Sequence, residues 1–143
     1  MNPVNLVNPV KESLQDEALT GTIIGCAMKV HRTLGPGFLE SVYEKALAHE
    51  LRKADVCFAC QIPVRVFYDD VVVGDFDADL LVEDRLIVEI KGVRATVQQH
   101  EVQLVNYLTA TRIEVGLLLN FGTPSLQFKR KHRTYREGTT RQD

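Results

Sequence analysis

The chain changes its hydrophobic period partway along. The apolar positions Leu19, Ile23, Cys26, Ala27, Val30 and Leu34 recur at spacings of three, four and seven, which sets them on one face of a helix. Gly35 stops that helix, and Pro36-Gly37 makes a tight corner before a second helix over 38–53, with Leu39, Val42, Tyr43, Ala46, Leu47 and Leu51 on one stripe. From there the pattern turns to β-branched and aromatic residues. Strands are predicted over 57–68 and 71–82, joined by Asp69-Asp70, and Glu83-Asp84 turns the chain into Leu86-Ile87-Val88-Glu89-Ile90. That third strand is almost continuously apolar, as a central strand covered on both faces would be. A third helix is predicted over 96–109, carrying Val97, Val102, Leu104, Val105 and Leu108. It is followed by a buried strand at 115–119 and an edge strand at 126–131. The order implies an α/β fold of three-layer-sandwich type, with a central mixed sheet flanked by helices.

Length and composition add limits. At 143 residues, 45% hydrophobic and 25% charged, the chain suits one core. Residues 1–15, with Pro3 and Pro9, are expected to form a flexible arm, 16–135 a single domain and 136–143 a basic tail. No apolar run approaches the roughly eighteen residues of a membrane span, and the N-terminus lacks the pattern of a signal peptide, so a cytoplasmic location is expected. Cys26, Cys57 and Cys60 are expected to be reduced thiols. The net charge of −2 excludes a uniformly basic nucleic-acid-coating protein. It hides an asymmetry: Lys129, Arg130, Lys131, Arg133, Arg136 and Arg141 face only Glu137 over 129–141. Such a cluster is either a solvated edge or a contact for nucleic-acid phosphates, through Lys129, Arg130, Lys131 and Arg133.

The chemistry lies between Asp75 and Lys91, where an apolar hairpin carries acidic residues. If Glu83, Asp84 and Arg85 form a three-residue turn, Val82 pairs with Leu86, and counting back sets Asp79 opposite Glu89. Carboxylates so placed repel unless a cation or proton lies between them, which points to Mg²⁺ or Mn²⁺. A two-residue turn would send the two carboxylates to opposite faces. Lys91, two residues past Glu89, shares its face. Two carboxylates and an ammonium suit metal-assisted phosphodiester hydrolysis, with the lysine orienting water or balancing phosphoryl charge. The same spacing also arises in salt-bridged surface clusters.

Asp79 followed by Glu89-Ile90-Lys91 at the end of a hydrophobic strand resembles the D…(D/E)-x-K core of the PD-(D/E)XK nuclease superfamily, the restriction-endonuclease-like fold. Gln103-Leu104-Val105-Asn106-Tyr107 is similar to the Q-x-x-x-Y signature of its RecB-like branch, and Gly37-Phe38-Leu39-Glu40-Ser41-Val42-Tyr43 to the motif of the GxxExxY protein family. The resemblance extends to His31-Arg32-Thr33-Leu34-Gly35 and to the stretch from Gly116 to Gly122, covering about 19–131. It implies Asp79 and Glu89 as metal ligands, Lys91 as the catalytic lysine, Glu40 as a helical glutamate near the metal, and Gln103 and Tyr107 beside the triad. The superfamily's proline is missing: Phe76-Asp77-Ala78-Asp79 offers two aspartates, and on a regular strand Asp75 and Asp77 would share Asp79's face. The expected activity is Mg²⁺-dependent hydrolysis of DNA, with a homodimer engaging two strands. The alternative is a catalytically weak or inactive nucleic-acid-binding or scaffold module on the same fold.

Other candidates carry less. Cys57 and Cys60 have zinc-knuckle spacing without a second close pair of ligands. His100 precedes Gln103 on the third helix and can approach a substrate, whereas His31, His49 and His132 read as surface or capping residues. Gly35-Pro36-Gly37 lacks the length and lysine of a P-loop, so ATP use is not expected.

Overall fold

The structure is a computed structural model and describes residues 9–133; the expected tail at 136–143 and residues 1–8 of the expected arm lie outside the described residues. The elements are α1 (Pro9–Leu34), α2 (Glu40–Lys53), β1 (Phe58–Tyr68), β2 (Val71–Val82), β3 (Leu86–Lys91), α3 (Gln98–Thr111), β4 (Val115–Asn120) and β5 (Gln127–His132). The five strands form one sheet in the order β1-β2-β3-β4-β5, with β3 and β4 parallel and the other neighbours antiparallel. The α/β fold with a central mixed sheet is thus as the periodicity predicts, and β3 is its middle strand.

Helix α1 begins at Pro9, ten residues ahead of the apolar periodicity. Proline is tolerated in a first helical turn, where its missing N–H has no partner to lose. The early turns are also tied down: the guanidinium of Arg85, in the β2–β3 turn, donates to Asp16 Oδ1 from Nε at 2.8 Å and from the terminal nitrogen at 2.6 Å. Because Asp16 is polar, a pattern of apolar residues cannot register this contact.

Two cores sandwich the sheet. On one side Ile23, Ala27 and Val30 of α1 and Tyr43, Leu47 and Leu51 of α2 pack on Leu80, Val82, Val88, Ile90, Leu117 and Leu119. On the other, Leu104, Tyr107 and Leu108 of α3 pack on Val64, Ala78, Ile87 and Leu118. Each such Leu or Ile contributes about 1.5–3 kcal/mol by leaving water. Leu39, Val97 and Val102, assigned to helical apolar stripes by periodicity, are exposed. Leu39 and Val97 precede the first turns of α2 and α3 as extended residues.

Near the site, strand alternation is broken in β1 and β2 together. Phe58, Leu80 and Val82 face α1 and α2, whereas Ile62, Val64 and Ala78 face α3. The ladder pairs Cys60 with Leu80 and resumes at Ile62 with Ala78, and between them Gln61 has a left-handed φ of 54°. A non-glycine residue in that region is uncommon and rotates the strand, so both strands change face without inserting a residue. Asp79 sits at this switch. Beyond the switch Phe76 and Ala78 turn toward α3, and Asp75 pairs with Arg65 at 3.8 Å, whereas Asp77 still adds its charge at Tyr107 together with Asp79.

Candidate functional site

The β2–β3 turn sets the site. Glu83 and Asp84 both have positive φ (54° and 56°), and Arg85 N–H donates to the Val82 carbonyl at 3.0 Å, which leaves three residues between the strands. Val82 pairs with Leu86, Leu81 with Ile87 and Leu80 with Val88. The next pair by this register is Asp79 with Glu89, and here side chains replace the ladder. Asp79 N–H donates to Glu89 Oε2 at 2.9 Å, and Ile90 N–H donates to Asp79 Oδ2 at 2.7 Å. Each carboxylate thus holds a backbone N–H of the opposite strand through one oxygen. Asp79 Oδ1 has Gln61 Nε2 only at 3.5 Å, the outer limit of a hydrogen bond.

Burial makes this arrangement costly for charge. Glu89 is 5% exposed, and burial, with the nearby Asp79 carboxylate adding to it, pushes its carboxyl up to about 8. Asp79 is raised for the same first reason, against the opposing effect of the Ile90 N–H. Lys91 is close enough to lower both, yet among the described residues none of Asp79, Glu89 and Lys91 forms an ion pair. The geometry is therefore that of a buried and a half-buried carboxylate repelling each other with an ammonium nearby, and a salt-bridged surface cluster does not describe it.

Three supports surround the end of β3. Glu40, at the first turn of α2, accepts from Gly92 N–H at 3.0 Å. Asn120, 1% exposed at the end of β4, accepts from Val93 N–H at 3.0 Å and donates to the Val93 carbonyl at 2.9 Å. It also accepts from Gly122 N–H, while Phe121 N–H donates to the Lys91 carbonyl at 2.8 Å. A Cβ on Gly122 would lie 2.4 Å from the Val93 backbone, so only glycine permits this approach. Asn120 and Gly122 lie in the stretch from Gly116 to Gly122, for which the resemblance implies no role. Their signal is weak, because one polar residue ending an apolar strand is common.

The corner before α2 has its own logic. Gly35 and Gly37 have φ of 68° and 114°, which glycine adopts without strain. Tyr43 is fully buried and stacks on Phe121 with centroids 4.6 Å apart; its hydroxyl donates to the Gly35 carbonyl at 2.5 Å and accepts from Phe38 N–H at 3.1 Å. His31 is also buried, a correction to its reading as a surface or capping residue. Its Nε2 lies 2.8 Å from the Thr123 carbonyl, an acceptor, so that nitrogen carries the proton.

On α3, Tyr107 lies near the carboxylates: burial raises its phenol first, with Glu89 and then Asp79 adding to it. Gln103, one turn earlier, lines an adjacent groove of about 690 Å³ with His100, Tyr107 and Phe76. The basic residues of β5 do not form a single patch. Lys131 and Lys129 lie 2.6 and 3.9 Å from Glu101 of α3, and Arg133 pairs with Glu114. By strand alternation Arg130 faces the opposite side from the two lysines, paired with Leu117. Two further groups were not anticipated: Glu44, raised first by burial and further by Asp79, and Gln61, which donates to Glu44 at 3.0 Å. Cys57 and Cys60 are exposed free thiols, and no group of three or more His, Cys, Asp or Glu converges among the described residues. Among them, too, no helix is long and apolar enough to cross a membrane.

Residues 17–131 match the family described as the PD-(D/E)XK nuclease superfamily. The crystal structure of SSO0001 has a similar fold, with a TM-score of 0.53 and 20% identity over 69% of this chain and 52% of that one. The chain thus spans about half the length of SSO0001. No curated protein matches it.

Proposed function

The chain belongs to the PD-(D/E)XK nuclease superfamily, and on that premise we propose that it is a Mg²⁺- or Mn²⁺-dependent deoxyribonuclease of the RecB-like branch and the GxxExxY group, with Asp79 and Glu89 holding the cation. The observation that carries this reading is the reciprocal grip of the two carboxylates on each other's strand, which orients both and leaves one oxygen of each for a ligand. The donor set fits a hard cation: Mg²⁺ is commonly held by one or two carboxylates, with water and substrate phosphate completing its shell. When bound, it would lower the pKa of a coordinated water and offset phosphoryl charge.

The chain's own residues have separable roles in this reading. The Lys91 ammonium, carrying three donors, orients the attacking water or offsets charge on the phosphate. Glu40 holds the Gly92 N–H and so the end of β3, which aims Lys91. Tyr107 keeps its proton because burial and the carboxylates raise its pKa, and it offers a donor next to Glu89; Gln103 extends that donor surface along α3. Of Lys129, Arg130, Lys131 and Arg133, Arg130 is the contact for the nucleic-acid backbone, because it makes no ion pair among the described residues while the other three pair with Glu101 and Glu114. A homodimer presents two such sites, which sedimentation of the protein with and without DNA tests.

Calorimetric titration of MgCl₂ and MnCl₂ into the protein and into Glu89→Ala, followed by cleavage assays on mixed DNA substrates, tests the whole. Saturable binding lost in the variant, with metal-dependent cleavage by the parent, is expected. Absence of both, with DNA binding retained, would sink the nuclease reading in favour of a binding module.

A further inference from the structure

The groove beside the carboxylates differs in chemistry from the site it adjoins. It measures about 690 Å³, within the roughly 300–1,000 Å³ of small-molecule pockets. One wall is the distal half of the β1–β2 hairpin, where the Phe76 ring folds over Gly74; a Cβ there would lie 2.8 Å from the ring. The other wall is the outer face of α3. Phe76 and Tyr107 meet across it at 5.8 Å between centroids, tilted by 40°, and Phe76 remains 43% exposed. Gln99, Gln103 and Asn106 line the helical wall, and their side-chain amides have no hydrogen-bond partner among the described residues. The ring of His100 accepts the Val97 N–H at Nδ1, which leaves Nε2–H as a donor.

No lysine or arginine lines the groove, and the charges at its Tyr107 end are carboxylates. Phosphate would find no counter-charge in it. A flat heterocycle with donors and acceptors on its rim matches both walls, stacking on the aromatic rings while amides reach its edge. In a duplex those faces and edges are occupied by neighbouring and paired bases. We propose that this groove receives the unpaired nucleobases of a single-stranded segment or frayed end, with the phosphate that follows lying at Asp79, Glu89 and Lys91. The substrate is thereby a single strand or an unpaired end. This inference rests on the nuclease reading for the phosphate and on the groove alone for the base.

The test uses the full chain carrying Lys91→Ala, with Mg²⁺, and fluorescence anisotropy with three probes: single-stranded oligothymidylate, an abasic strand of equal length and charge, and a blunt duplex. The thymidylate is expected to bind about tenfold or more tighter than the abasic strand, a typical gain from base stacking. Adding Phe76→Leu, which keeps apolar bulk over Gly74, should remove most of that difference, while Phe76→Tyr should keep it. Equal affinity for thymidylate and abasic strand, or indifference to Phe76→Leu, overturns the groove assignment. A parallel cleavage assay with the unmodified chain separates the two claims. Base-dependent binding without cleavage upholds the groove against the nuclease reading, and cleavage with no base dependence does the reverse.

Discussion

At the scale of single residues, the site is governed by what burial does to charge. Glu89 has a folded-state pKa pushed up to about 8, whereas a free glutamate titrates near 4.3. Between those values the folded chain keeps a proton that the unfolded chain releases, so this group lowers stability as pH rises through the window. The metal-free protein should therefore lose thermal stability between about pH 5 and about pH 8.5, and Glu89→Gln, which still accepts the Asp79 N–H, should remove much of that loss. Melting curves of the two proteins across pH check this; parallel curves would refute it. Lys91→Ala should leave Mg²⁺ affinity nearly unchanged and lower cleavage by about 10²-fold or more, as loss of a positioned transition-state donor does. Calorimetry and single-turnover rates read the two effects apart.

At the scale of elements, the backbone after β3 is held by contacts from α2 and β4. Gly122→Ala drives a methyl into the Val93 backbone and should cost about 1–3 kcal/mol, the usual range for overpacking, in urea denaturation. Asn120→Ala removes two hydrogen bonds from this segment and one from Gly122 and should destabilise by about 1–3 kcal/mol, leaving part-buried groups unpaired. In the reading above, both variants also reduce turnover more than metal affinity, because the segment they loosen directly follows Lys91. Helix boundaries and strand limits followed closely from period and turn residues, since each is local. The start of α1 and the face switch at Gln61 did not. The first depends on Arg85 reaching Asp16 from another element, and the second on a left-handed residue that composition does not mark.

At the scale of the whole molecule, charge is distributed differently from its order along the chain. The basic run at 129–133 is divided by strand alternation between two faces, and Glu101 takes up Lys129 and Lys131. Arg130→Ala should therefore reduce the salt dependence of DNA binding by roughly one unit of log–log slope, more than Lys131→Ala does. Affinities measured over a salt series check this, and equal slopes for the two variants would contradict it. By itself the sequence determined the order and type of the elements, the central place of β3 and, on condition of a three-residue turn, the opposition of Asp79 and Glu89. These follow from hydrophobic period and strand parity, which act over a few residues. Only the tertiary structure decided that Glu89 is buried, that Asp75 pairs with Arg65, that Asn120 clamps the loop after Lys91, and that a neutral groove opens beside the acids. Such features arise where elements distant in sequence close on one another, and desolvation and polar pairing are set by that closure.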